Sequence, residues 1–223
     1  MAHTNRAQLG KRKAIRFLLS SSAEGIFWIL LFLFIVTTSS CTKGPVIVPP
    51  APAPVENLTR QIDLGNKEIP FWGSIAIIDF DGDRFPELIF EILPLGDPIV
   101  LRDRWLWQVK TTRFTALPIN PNVDQVPALN EGEVFSLNDF DVYEWYLGNT
   151  ITLFEKITYP NDHYWWEGNW KGVSHKFLPF KVLRADGYYA GWVEISSDLE
   201  AKKGYLHRAG ISKLPNTPVK AGF

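Results

Sequence analysis

Lys176-Phe177-Leu178-Pro179-Phe180-Lys181-Val182-Leu183-Arg184-Ala185-Asp186-Gly187-Tyr188-Tyr189-Ala190-Gly191-Trp192-Val193-Glu194-Ile195 is the stretch that decides the fold. Two apolar runs of strand length, Lys176–Leu183 and Gly191–Ile195, flank Ala185-Asp186-Gly187-Tyr188. An Asp-Gly step between strand-like runs is a strong short-range hairpin signal. Trp192-Val193-Glu194-Ile195 alternates, and so does Trp105-Leu106-Trp107-Gln108-Val109-Lys110; period two is the mark of a strand. Working outward, further strands are expected at Ser74–Ile78, Glu87–Ile92, Ile99–Leu101, Ile151–Thr158 and Tyr205–Ile211. Leu95-Gly96-Asp97-Pro98, Asn120-Pro121-Asn122 and Leu147-Gly148-Asn149 break the chain between them. Short strands separated by turns, with no long segment of helical period, predict an all-β chain: a single jelly-roll-like β-sandwich over residues 57–223. Helix is expected only in the leader and at Leu137–Tyr146. No repeat of propeller or solenoid length is visible.

The chain has 223 residues, 46% of them hydrophobic and 21% charged, with a net charge of -1. That suffices for one well-packed domain and excludes a disordered chain. Near-neutral charge argues against nucleic acid as a partner. The single cysteine, Cys41, excludes an internal disulfide. Charge is unevenly placed: Arg6, Lys11, Arg12, Lys13 and Arg16 face only Glu24 within residues 1–40, and the rest of the chain is acidic on balance.

This basic segment leads into an apolar run, Ile26–Val36, then Thr37-Thr38-Ser39-Ser40-Cys41. A basic region, a short apolar core and a small-residue exit have the layout of a secretory signal peptide, residues 1–40. The run is short for a membrane-spanning helix, which needs about 20 apolar residues. An uncleaved signal anchor, making a single-pass membrane protein, is the alternative. Thr38-Ser39-Ser40-Cys41 resembles the lipobox of a bacterial lipoprotein precursor. The resemblance implies that Cys41 becomes the lipidated first residue of the mature chain, carrying palmitate-type acyl chains. It also implies a location at the outer membrane or cell surface, with the membrane itself as a partner. Residues 41–56 hold a run rich in proline, which favours extended polyproline II and suits a tether; a plain N-terminal tail predicts the same composition.

Asp79-Phe80-Asp81-Gly82-Asp83-Arg84-Phe85-Pro86-Glu87 places carboxylates at positions 1, 3, 5 and 9 of a tight loop. Hard Ca²⁺ takes six to eight oxygens, and this spacing folds alternate side chains toward one point. The carbonyl of Phe85 adds a ligand at position 7. The segment resembles the Asp-x-Asp-Gly-Asp-Gly calcium loops of secreted bacterial β-domains. That resemblance implies a structural Ca²⁺ held by Asp79, Asp81, Asp83, Phe85 and Glu87, with Arg84 where the family has glycine. The competing reading is a solvated Asp-Gly turn. A looser resemblance to small, uncharacterised surface β-domains rests on Tyr189-Ala190-Gly191-Trp192-Val193 and Ala221-Gly222 and implies fold and location only.

His163-Tyr164-Trp165-Trp166-Glu167-Gly168-Asn169-Trp170 is the densest aromatic cluster. Trp165, Trp166 and Trp170 can stack against sugar rings, or they pack inside. If the segment is a strand, Trp165 and Trp166 point to opposite faces. Catalysis has little support. Asp139, Asp141, Glu144 and Glu167 select no glycosidase pair by spacing. His163, His175 and His207 lack zinc-ligand spacing, and no serine elbow or phosphate loop is present. The expectation is therefore a non-catalytic module that binds a glycan or a cell-surface protein or serves a structural role. A carbohydrate-active hydrolase is the alternative.

Overall fold

The computed structural model describes residues 58–71, 74–80 and 82–223. The leader 1–40, Cys41, the tether 41–56 and Asp81 lie outside the described residues. Eleven strands follow in order: β1 (Thr59–Glu68), β2 (Ala76–Ile78), β3 (Leu88–Asp97), β4 (Arg102–Thr111), β5 (Thr115–Ile119), β6 (Glu144–Leu147), β7 (Thr150–Thr158), β8 (Tyr164–Glu167), β9 (Lys176–Arg184), β10 (Gly187–Asp198) and β11 (Lys203–Ser212). They form two antiparallel sheets, one ordered β1-β11-β10-β9-β5-β6 and the other β2-β3-β4-β7-β8. The described part is all-β, two sheets closing over a shared core, an arrangement consistent with a β-sandwich.

The core between the sheets takes Phe90, Trp107, Val109 and Phe154 from the five-stranded sheet and Leu178, Phe180, Val193 and Leu206 from the six-stranded one. Trp107 lies stacked on Phe154, ring centroids 4.7 Å apart. The six-stranded sheet has a second cover. On its outer face Phe177, Ala190 and Trp192 pack against Phe135, Val219 and Ala221, with Leu129, Leu137, Phe140 and Trp145 around them. Residues before β6 and the C-terminal segment supply this cover. They are tied together by backbone hydrogen bonds from Gly132 to Ala221 and from Ala221 to Glu133. With both faces buried, Phe177–Phe180 of β9 and Tyr189–Val193 of β10 read as unbroken apolar runs. Lys181, on that outer face, lies over the rings of Trp145 (4.7 Å) and Tyr188 (4.4 Å) and donates to the Leu137 carbonyl. Burial lowers its proton affinity, partly opposed by Asp139.

The hairpin expected at Ala185–Tyr188 is present, with Arg184 paired to Gly187. Two expectations are corrected. Ile99–Leu101 is not a strand but the tip of the β3–β4 hairpin: Asp97 Oδ1 accepts from the N–H groups of both Ile99 and Val100, and Leu101 has φ 51°. Such an Asx-capped turn ends the ladder whatever the β-propensity of its residues. Leu137–Tyr146 is not helical. Asp141 has φ 51°, Phe140 and Tyr143 pair across it, and β6 starts at Glu144. Its apolar residues, Leu137, Phe140 and Trp145, pack against the second core instead. β1, β5, β6 and β8 are not among the strands the sequence predicts. β1 is a polar strand at the sheet's edge, bulged between Asp63 and Lys67, β5 contains Pro118, and β8 lies inside the aromatic cluster.

Candidate functional site

The Asp-rich loop joins β2 to β3. Asp79 Oδ1 accepts from the Gly82 N–H (2.7 Å) and Oδ2 from the Arg84 N–H (3.0 Å), while Asp83 Oδ1 accepts from the Phe85 N–H (2.7 Å). Gly82 and Arg84 have φ values of 78° and 72°. Arg84 therefore adopts the left-handed conformation for which the resembling loops use glycine. Glu87 is buried, with Oε2 accepting from the Phe80 N–H at 2.8 Å and Oε1 3.8 Å from Arg184. The positive φ values at Gly82 and Arg84 match the bend such loops need, and both oxygens of Asp79 are already engaged by backbone N–H groups. Glu87 is committed to Phe80 and Arg184 and is less free to act as a cation ligand. Among the described residues no three His, Cys, Asp or Glu converge as a metal cluster, and Asp81 lies outside them.

The aromatic cluster is sorted by strand geometry. β8 turns Trp166 inward, its ring 5.4 Å from Trp107 and 6.0 Å from Phe154. Trp170 is fully buried and donates its indole N–H to the Val126 carbonyl. The sharp approach that brings it there passes through Gly168, at φ 98°, where a Cβ would lie 2.5 Å from the Leu153 carbonyl oxygen. Trp170 offers no face to a ligand, and Trp166 is half-buried with one face on the core. Trp165 is on the opposite side, register partner of Ile157, stacked on Tyr159 at 5.0 Å with its N–H donated to Glu167.

Beside Tyr159 opens a cleft of about 520 Å³ between the β3–β4 and β7–β8 connections, lined by Asp97, Arg102, Asp103, Thr158, Tyr159 and Asp162 among others. Asp97 is held below the usual carboxylate range chiefly by the N–H of Val100, with that of Ile99 and Arg102 adding to it, against an opposing effect of burial. The Nε of Arg102 lies 3.5 Å from Asp97, is buried, and makes no hydrogen bond. The ion pair to Asp97 is long, and an entering acceptor atom would give this buried N–H a closer partner. The cleft thus presents carboxylate acceptors, a guanidinium donor and an aromatic wall. None of the cleft's lining residues is singled out as a site residue by the sequence; Trp165, which is, borders the cleft only through its stack on Tyr159.

A separate polar cluster sits on the outer face of the six-stranded sheet. Glu194 is buried and is gripped by Arg208 and by His175 Nδ1 at 2.6 Å. Burial pushes its carboxyl up, but the hydrogen bonds from Arg208 and His175 outweigh that and hold it below its usual value. Arg208 also bonds the Gly222 carbonyl and Glu131, pinning the C-terminal cover to the sheet. The alternation of Trp192-Val193-Glu194 already put Glu194 on the face of Trp192, yet nothing in the sequence placed Arg208 or His175 beside it.

No helix among the described residues is long and apolar enough to cross a membrane. Compared with protein-family models, curated proteins and solved structures, the chain shows no match to any of them.

Proposed function

We propose that this chain is a non-catalytic binding module, exported and held at a membrane surface by lipid on Cys41, whose cleft takes a polyhydroxylated ligand of the glycan class. The observation that carries the reading is the buried Nε of Arg102, held only by a long ion pair to Asp97, in a cleft that also holds Asp103 and Asp162, with Tyr159 of the Tyr159–Trp165 stack on its wall. Sugar hydroxyls donate to carboxylates and accept from guanidinium, while the ring's C–H face rests on an aromatic. Trp166 and Trp170 support the fold rather than the ligand. The jelly-roll-like form of the sandwich is supported by the chain's crossing between sheets after β1, β4, β6 and β8. Ca²⁺ in the 79–87 loop is a structural element of this reading, supported by the positive φ at Gly82 and Arg84.

The test is glycan-array and calorimetric binding by the whole chain. Binding without turnover that falls about tenfold or more in Trp165→Ala and Asp103→Asn supports the module, the loss corresponding to about 1.4 kcal/mol. Turnover abolished by one Asp or Glu substitution supports the hydrolase instead. Lipid labelling that vanishes in Cys41→Ser tests the anchor. A melting temperature unmoved by millimolar calcium counts against the metal.

A further inference from the structure

Three adjacent strands of the six-stranded sheet, β1, β11 and β10, bring one side chain each into a line. Ser196 Oγ in β10 lies 2.7 Å from His207 Nε2 in β11, and His207 Nδ1 lies 2.6 Å from Asn66 Oδ1 in β1. The amide oxygen of Asn66 can only accept, so Nδ1 carries the ring proton and Nε2 turns its lone pair to the serine. The backbone N–H of His175 donates to the same Oγ at 2.8 Å. A hydroxyl has one proton and two lone pairs. The proton goes to His207, one lone pair takes the His175 N–H, and one remains. A hydroxyl that gives its proton to an imidazole while receiving an N–H is set to bear negative charge.

The backbone is distorted around this line. β1 slips register against β11 between Asp63 and Lys67, and β10 slips against β11 between Val193 and Ile195. Asn66 and His175 hold φ values of 56° and 51°. Bulges re-aim side chains and gather next to reactive sites. Here one bulge aims Asn66 across β11, and the other lies two residues along β10 from Ser196. The ring of His175 stacks on His207 at 4.4 Å, with its Nδ1 on Glu194 and its side chain 62% exposed. Burial lowers the proton affinity of His207, helped by the nearby His175 and Arg208 and opposed by Glu194. The imidazole is thus neutral, and able to take a proton, at neutral pH.

We propose that Ser196 is a nucleophilic serine, with His207 as its general base and Asn66 as the positioning residue, and that it is acylated by simple carboxylic esters. In that step the Oγ–C bond forms as the hydroxyl proton passes to His207 Nε2. The ester C–O bond then breaks and the departing alkoxide takes that proton. Water releases the acyl group by the same route, its proton passing to His207 and then to Oγ. This site shares no residue with the cleft; the proposed function is non-catalytic at the cleft alone, and a reactive Ser196 adds an esterase activity elsewhere on the chain, so the two stand or fall apart.

The test uses the whole purified chain with a fluorophosphonate probe and p-nitrophenyl acetate, with peptide mapping of the adduct. The expected result is a single adduct on Ser196, absent in Ser196→Ala. His207→Gln slows labelling by about a hundredfold, the usual scale of general-base assistance. The labelling rate is flat at neutral pH and falls only below the ordinary histidine range; Asn66→Ala moves that limb, which a merely structural contact would not do. No adduct on Ser196 in protein of native near-ultraviolet dichroism overturns the proposal. So does labelling in folded His207→Gln at the wild-type rate. If His207→Gln does not fold, the wild-type and Ser196→Ala pair decides.

Discussion

The two sheets meet their surroundings differently. The six-stranded sheet is covered twice, by the other sheet and by the residues around Phe135 and Val219, and in β10 every side chain from Tyr189 to Ile195 is buried. The five-stranded sheet is covered once. Its far face carries Arg104 bonded to Glu155, Lys110 bonded to Glu91, and Trp165 standing over the end of β7. The doubly covered sheet spends its sequence on packing. The singly covered one keeps polar and aromatic groups at its surface, and the cleft opens at its end. Burial on two faces explains the continuous runs; in β4 Trp107 and Val109 enter the shared core, while Leu106 and Gln108 on the far face are buried among their neighbours.

The contrast breaks most visibly at Trp192, fully buried in the outer core. Trp192→Ala is expected to cost about 3–5 kcal/mol in denaturant unfolding, as for other large aromatic truncations. A cost below about 1 kcal/mol would show that the second cover is peripheral and the sheets are equivalent after all. The next effect is at Gly210, the direct register partner of Trp192, where a Cβ would lie 2.6 Å from the indole ring. The ring lies across the glycine, so Gly210→Ala should cost about 1–3 kcal/mol by overpacking. A neutral Gly210→Ala would mean that the ring has room to move.

Acid should act on the same covered face. His207 titrates in the folded chain below its usual 6.5, so the unfolded chain binds the proton first and stability declines as pH falls through about 6.5. Glu194 titrates below its usual 4.5 because Arg208 and His175 hold it ionised. Its contribution is complete above about 4.5 and is lost as pH falls through its lowered folded value. Thermal melts should therefore be flat above neutral pH and fall in these two stages. Glu194→Gln should shrink the lower stage, leaving the part due to Asp97, and move the His207 stage slightly further down by removing a nearby negative charge. The smallest effect belongs to the open face. Arg104 makes a two-point bond to Glu155, which faces Glu167 across the ladder. A double-mutant cycle on Arg104 and Glu155 should give about 0.5–1 kcal/mol, weakening with salt.

What the sequence disclosed follows the same division. The β9–β10 hairpin and the alternation of β4 were legible because each is a local pattern. The strand split of Trp165 from Trp166 was foreseen as a condition, and β8 meets it. β1 was illegible, being an edge strand with one side in water and little apolar content. Pro118 disguised β5, which pairs with β9 only at Thr115 and Ala116. The cleft was illegible for another reason: Asp97, Asp103 and Asp162 sit on two connections far apart in the chain, and no local rule brings them together. The same holds for Ser196, His207 and Asn66, whose meeting depends on two register slips.

The sorting of tryptophans by strand parity has an optical consequence. Among the described residues Trp107, Trp170 and Trp192 are shut away from solvent, while Trp105 is exposed and Trp145, Trp165 and Trp166 are half-buried. Native emission should thus combine a blue component deaf to aqueous quenchers with a red one that iodide reaches. A molecule settling beside Tyr159 should dim only the latter, so the protein carries an intrinsic gauge of occupancy that needs no dye.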